Sequence, residues 1–203
     1  MNPDTALIVI DIQNDFCPGG ALAVNDGDQT VASANALIAQ HNCIILTQDW
    51  HPSGHSSFAS QHHGHDAFSQ IDMPYGPQTL WPDHCIAGSK GAEFHPDLNT
   101  DKAKAIIRKG QNPALDSYSA FFENDHTTPT GLAGLLHSLS ITNLHLCGLA
   151  TDFCVAWSAI DARKLGFAVT LELQACRAID LYGSLQAALE EMRASGVVLQ
   201  ESG

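Results

Sequence analysis

Short apolar runs alternate with stretches of helical spacing along most of the chain. ALIVI (6–10), CIILT (43–47), AKAIIRK (103–109), LHLCGL (144–149), FAVTLEL (167–173) and VVLQ (197–200) are dominated by aliphatic side chains and predict strands. Between them, DQTVASANALIAQ (28–40) sets Val31, Ala34, Leu37 and Ile38 on one face of a helix. TGLAGLLHSL (130–139), DFCVAWSAIDARKLG (152–166) and SLQAALEEMRA (184–194) carry helical spacing too. Strands of this kind, each followed by a helix, predict a parallel sheet covered by helices on both faces. Ligands bind such sheets outside the carboxyl ends of the strands. That rule singles out Asp11, Asp49, Lys109 and the segment after Leu149.

The alternation lapses between about residues 50 and 99, where Gly, Pro, His and Ser replace periodic apolar positions. A loop this long inside a compact domain is functional or disordered. Trp50, Phe58, Phe68, Tyr75, Trp81 and Phe94 give it anchors and favour function. With no internal repeat and no boundary, the 203 residues are expected to form one domain over 1–203. A formal charge of −13 argues against nucleic-acid and anionic-membrane partners, which select clustered Lys and Arg. No apolar run nears the ~20 residues of a membrane helix and no leader pattern opens the chain, so a soluble, cytoplasmic protein is expected. The oligomeric state is left open. Six cysteines permit a disulfide framework, but without paired spacing or a leader they are expected to be reduced, most of them packing as small hydrophobes.

Chemistry concentrates in two places. In LHLCGLATDFCVAWSA the strand is expected to end near Leu149 and a helix to begin near Thr151 or Asp152. Cys154 then falls in the first helical turn, where free N–H groups and the helix dipole favour a thiolate; equally, it is a packing cysteine beside Val155 and Trp157. A cysteine nucleophile needs a proton acceptor and an orienting partner, and Asp11 and Lys109 offer a carboxylate and a cation. In TQDWHPSGHSSF, Asp49, His51 and His55 are metal-type ligands at the end of a strand. The alternative is a polar loop whose histidines meet water.

VIDIQNDF, TQDWHPSGHSSF, WPDHC, RKG and GLATDFCV resemble, in order and spacing, the isochorismatase-like cysteine hydrolases, and within them the nicotinamidase/pyrazinamidase group. The resemblance implies a three-layer α/β/α sandwich around a six-stranded parallel sheet, with Asp11, Lys109 and Cys154 as the catalytic triad. It further implies an oxyanion hole from the backbone amides of Ala150 and Cys154, beside a cis peptide between Leu149 and Ala150. The activity implied is metal-dependent hydrolysis of nicotinamide to nicotinate and ammonia through a thioester, a step of NAD salvage, with pyrazinamide as a second substrate. Asp49 and His51, at i and i+2 of an extended segment, point the same way and reach one ion, with His84 as third ligand. Such a set suits zinc, iron or manganese and leaves positions open for water and substrate; in this group the metal holds the pyridine nitrogen. His55 stays open between ligand and support. Phe16, Trp81 and Tyr118 match aromatic positions of the family's pocket, with core packing as the alternative. His62, His63 and His65 are read as an exposed flap outside the site.

Overall fold

The computed structural model describes residues 3–201, so the outermost two residues at each end of the expected 1–203 domain lie outside the described residues. Strands β1 (Thr5–Ile10), β2 (Ile44–Asp49), β5 (Ala103–Lys109), β6 (Asn143–Leu149), β7 (Ala168–Arg177) and β8 (Val198–Gln200) form one six-stranded sheet in the order β5-β2-β1-β6-β7-β8. Every neighbouring pair is parallel. Helices α1 (Gln29–Gln40), α2 (Leu132–Ser138), α3 (Ala156–Lys164) and α4 (Ser184–Ala194) cover it, giving a three-layer α/β/α architecture. Inner strand β2 is buried throughout, as its unbroken IIL run demands. Edge strand β5 is only half-buried on alternate residues before the buried Lys109, and Ile106 is 49% exposed. Its Lys104 and Arg108 lie on that open face, where charge discourages edge-to-edge pairing.

The structure departs from the sequence pattern in three places. The loop region contains an antiparallel hairpin, β3 (Gln70–Met73) and β4 (Gly76–Thr79), whose mixed polar composition hides the period of a strand. The last long strand continues past residue 173 to Arg177, with a register shift against β6 between Leu146 and Gly148. A wide turn, Thr151–Val155, precedes α3 rather than a regular first helical turn. All six cysteines are unpaired and buried.

The sheet delivers the candidate residues together because their strands are neighbours. Lys109 ends β5 and pairs in register with Asp49, which ends β2. Asp11 follows β1, and the cysteine turn follows β6. The approach of β6 to β1 requires a glycine: Gly148 has φ +125°, and a Cβ there would collide with the Ile10 backbone. Gly148→Ala is therefore expected to destabilise the protein by about 2–4 kcal/mol, read as a lower urea midpoint with unchanged slope. A variant within about 0.5 kcal/mol of the parent would show that the strands can part without cost.

Candidate active site

Lys109 is fully buried, and its ammonium is the hub of the site. Its Nζ lies 2.9 Å from Asp11 Oδ2 and 2.5 Å from Asp49 Oδ1, donates to Ser117 O at 2.9 Å, and reaches Cys154 Sγ at 3.4 Å. Burial alone would lower the lysine's proton affinity, but Asp11 and Asp49 outweigh it and raise its pKa well above normal. It is a fixed cation.

Asp11 is fully buried and left-handed, φ +48°. A non-glycine residue in that conformation is held by its surroundings. Thr47 supplies part of the hold: its hydroxyl donates to Asp11 Oδ1 at 2.6 Å and accepts the Asp11 N–H at 3.2 Å. Burial raises the Asp11 pKa, against the opposing pull of Lys109. Asp11, Asp49 and Cys154 bring one ligand atom each to within 4.8 Å of one another. A carboxylate beside a thiol, with its proton affinity raised, is placed to receive a proton and to return it.

Cys154 is buried, and burial raises its thiol pKa well above normal, Lys109 lowering it and Asp11 and Asp49 raising it. Desolvation and the two nearby carboxylates thus act against the thiolate that the turn would favour, and Lys109 acts for it. The peptide bond between Leu149 and Ala150 is cis.

Asp49 serves two neighbours. Burial pushes its carboxyl up, but Lys109 and His51 hold it well below the usual carboxylate range. While Oδ1 meets Lys109, Oδ2 faces His51 Nε2 at 3.6 Å and His84 Nε2 at 3.9 Å. The His51 Nδ1–H donates to Gly110 O at 3.0 Å and the His84 Nδ1–H to Pro82 O at 2.7 Å. Both Nε2 lone pairs are thus turned toward one carboxylate oxygen, an arrangement typical of metal-ligating histidines. Ligands about 2.0–2.2 Å from an ion stand roughly 3–4 Å apart, so this donor set fits a divalent metal. Burial and His51 push His84 down to about 4, which keeps it neutral and able to ligate. The backbone builds the cradle: Gly110, φ +66°, leaves no room for a side chain beside the His51 ring.

His55 is fully buried, but both of its nitrogens are occupied. Nδ1 accepts from Ser57 Oγ at 2.8 Å, and Nε2–H donates to Asn112 O at 2.8 Å. It shares a second group of potential ligands with His51 and Asp116, yet ligation would cost it one of these bonds. His63 and His65 are exposed, and His62 bonds to Ser56 O at 2.7 Å; none of the three joins a metal-type group among the described residues.

Cys154, Ala150, Asp49, His51 and His84 share one pocket with Phe16, Trp81 and Tyr118. The Tyr118 hydroxyl accepts from Trp81 Nε1 at 3.0 Å and from Gln78 Nε2 at 3.1 Å, locking the aromatic wall. Sequence reasoning missed Thr47, Gln13, Asp116, Phe153 and Ile179. Gln13 clamps the Asp49 backbone, accepting its N–H and donating to its carbonyl, both at 2.8 Å. Asp116, Phe153 and Ile179 line the pocket. Thr47 carries a usable signal, since it stands two residues before Asp49 on the same strand; the others become neighbours only through the tertiary fold.

The isochorismatase domain pattern matches residues 5–202. The chain is 54% identical over 192 residues to a nicotinamidase of Acinetobacter baylyi, covering 95% of this chain and 90% of that one. It is 45% identical over 202 residues to a nicotinamidase of Escherichia coli, covering 97% and 94%. Among solved structures, a nicotinamidase/pyrazinamidase of Acinetobacter baumanii superposes with a TM-score of 0.98 at 50% identity, over 100% of this chain and 98% of that one. PnC1 of L. infantum in complex with nicotinate gives 0.86 at 40% identity (100% and 95%), and Pyrococcus horikoshii pyrazinamidase in complex with zinc gives 0.80 at 36% (98% and 99%).

Lys109→Met should be among the most damaging substitutions at the site, costing about 3–5 kcal/mol by leaving two carboxylates buried without their cation. The balance of the pH dependence should shift as well. Of the two carboxyls in the parent, only Asp11 has a raised pKa and loses stability as pH rises, against the opposite contribution of Asp49. In the parent, the depressed Asp49 carboxyl contributes stability above its unfolded pKa, lost only in acid. In the variant the carboxyls become harder to ionise, so that stability should fall as pH rises through their new values. Urea titrations from pH 5 to 8 measure this, and a variant equally stable across the range would contradict the ion cluster.

Proposed function

The chain belongs to the isochorismatase family, and from that premise we propose that it is a metal-dependent nicotinamidase, hydrolysing nicotinamide to nicotinate and ammonia. One observation carries the reading: the Asp49 carboxylate joins the lysine hub to a histidine pair that opens on the same pocket as Cys154. The relatives named nicotinamidase, the neighbour holding nicotinate and the neighbour holding zinc support the substrate class and the donor set.

In this mechanism Asp49, His51 and His84 hold one divalent transition metal (zinc, iron or manganese), which when bound supplies a Lewis-acidic contact for the ring nitrogen. Phe16, Trp81 and Tyr118 form the slot for the planar ring. Asp11 removes the thiol proton as Cys154 Sγ bonds to the carboxamide carbon, and the amide oxygen becomes an oxyanion held by the N–H groups of Ala150 and Cys154. Asp11 returns the proton to the departing nitrogen, and the C–N bond breaks to leave ammonia and a thioester. Asp11 then takes a proton from water as the water oxygen bonds to the acyl carbon. Collapse expels Cys154, which regains the proton from Asp11, and nicotinate leaves. Lys109 holds Asp11 in place throughout and transfers no proton. His55 supports His51 rather than ligating.

The reaction places the protein in NAD salvage, and pyrazinamide shares the ring nitrogen and carboxamide that the site reads. No helix of the described residues is long and apolar enough to cross a membrane, and the strong negative charge disfavours nucleic acid. The reading is of a cytoplasmic enzyme acting on a small molecule.

Zinc-loaded protein should release ammonia from nicotinamide, and Cys154→Ala should abolish the release while keeping the metal. Asp11→Asn should lose at least ~10²-fold; a loss under about tenfold would remove Asp11 from proton transfer. Benzamide, with C–H in place of the ring nitrogen, should be turned over about a hundredfold more slowly, because the ion loses its partner. His84→Ala should lose metal and activity together, whereas alanine at His62, His63 or His65 should change little. Equal turnover of benzamide and nicotinamide would contradict a substrate-orienting metal.

A further inference from the structure

Asp152 lies two residues before the nucleophile and takes no part in the chemistry above. Its side chain is buried, and it faces the segment after β7. Oδ1 accepts the Ile179 N–H at 3.0 Å; Oδ2 accepts the Asp180 N–H at 2.8 Å and the Ser184 hydroxyl at 2.5 Å. The segment so held is costly in itself. Asp180 and Tyr182 are both left-handed at φ +54°, and Gly183 follows at φ +85°. Tyr182 is 92% exposed, so its side chain adds almost no packing. Ile179, the first residue gripped, lines the pocket together with Phe16, Trp81 and Cys154.

We propose that the Asp152 carboxylate is a positioning group that latches the 179–184 segment to the nucleophile turn, so that Ile179 closes the substrate pocket over Cys154. The turn that carries the nucleophile also fixes the wall that the ring rests on. Three donors on one ionised carboxylate make a strong, directional clamp, since hydrogen bonds to a charged acceptor exceed neutral ones. Release of the clamp lets the left-handed residues relax and withdraws Ile179, which opens the pocket without moving Asp11, Lys109 or Cys154. The inference deepens the amidohydrolase reading and rests on it for its kinetic arm.

The test compares Asp152→Asn and Ser184→Ala with the parent, all zinc-loaded. Asparagine keeps one acceptor but turns an NH₂ against donors of the segment; Ser184→Ala removes one of three bonds and leaves the turn untouched. In Asp152→Asn, KM for nicotinamide should rise about tenfold while kcat stays within about threefold, as expected for lost hydrogen bonds outside the reacting atoms. Alkylation of Cys154 by iodoacetamide, followed by mass spectrometry, should accelerate about tenfold, with the rate at buried Cys147 unchanged. Ser184→Ala should fall between parent and Asp152→Asn in both readouts. A fall in kcat at constant KM, an unchanged alkylation rate at Cys154, or equal acceleration at Cys147 would overturn the latch. Alkylation needs no turnover: if the parent fails to hydrolyse nicotinamide, the proposed activity falls while the labelling rates still decide the latch. Should Asp152→Asn not fold, Ser184→Ala decides it by the same measurements.

Discussion

A fully buried lysine held between two carboxylates is the constraint to which the rest of the site answers. Removing an ammonium from water costs several kcal/mol, and Lys109 recovers that only through Asp11, Asp49 and the Ser117 carbonyl around it. Each partner must therefore sit where the cation needs it. The sheet order supplies the geometry, because β5, β2 and β1 are adjacent and parallel. Thr47 then holds the Asp11 carboxylate, and Gln13 holds the backbone of Asp49. Two carboxylates against one ammonium are a formal excess of one negative charge beside a buried thiol, and they add to the burial that raises the thiol pKa. A divalent ion on Asp49 would reverse the sign of that excess, leaving one positive charge that a Cys154 thiolate could neutralise. An ion held there would thus also bear on Cys154, through the carboxylate it shares with Lys109.

Much of this was legible in the chain because it follows from local pattern and one topological rule. The apolar runs and helical faces predict the parallel sheet, and the rule that ligands gather at strand ends singles out Asp11, Asp49, Lys109 and the cysteine turn. The coupling between them was not legible. Asp49 and His51 suggest a metal through their i, i+2 spacing, but the contact of Asp49 with Lys109 depends on a register between strands sixty residues apart in sequence. Gln13 and Asp116 likewise act across the fold. The environment of Cys154 was not legible either: position near a helix start is visible in a sequence, whereas desolvation by the surrounding core, which raises the thiol pKa, is not.

The pocket shows the same division. Its aromatic wall carries a sequence signal in Phe16, Trp81 and Tyr118, but Phe153 and Ile179 join it through packing alone. Trp81 and Tyr118 are tied by a hydrogen bond, and Phe153 meets both rings edge-on at 4.9 and 5.6 Å between centroids. Edge-to-face contacts of this kind define geometry better than aliphatic packing does. The pocket is a slot shaped in advance, lined by the metal-type ligands and the thiol as well as by the aromatic wall.

The central claim is that Asp49 belongs at once to the lysine cluster and to the metal site. Asp49→Asn tests it most directly, by measuring zinc affinity and nicotinamide turnover on one preparation across a zinc titration. The account predicts weaker zinc binding and a turnover that stays at least about a hundredfold below the parent at saturating zinc, because Lys109 has lost a carboxylate that metal cannot replace. Recovery of full turnover once the site is filled would show that Asp49 is a metal ligand and nothing more, and would contradict the account.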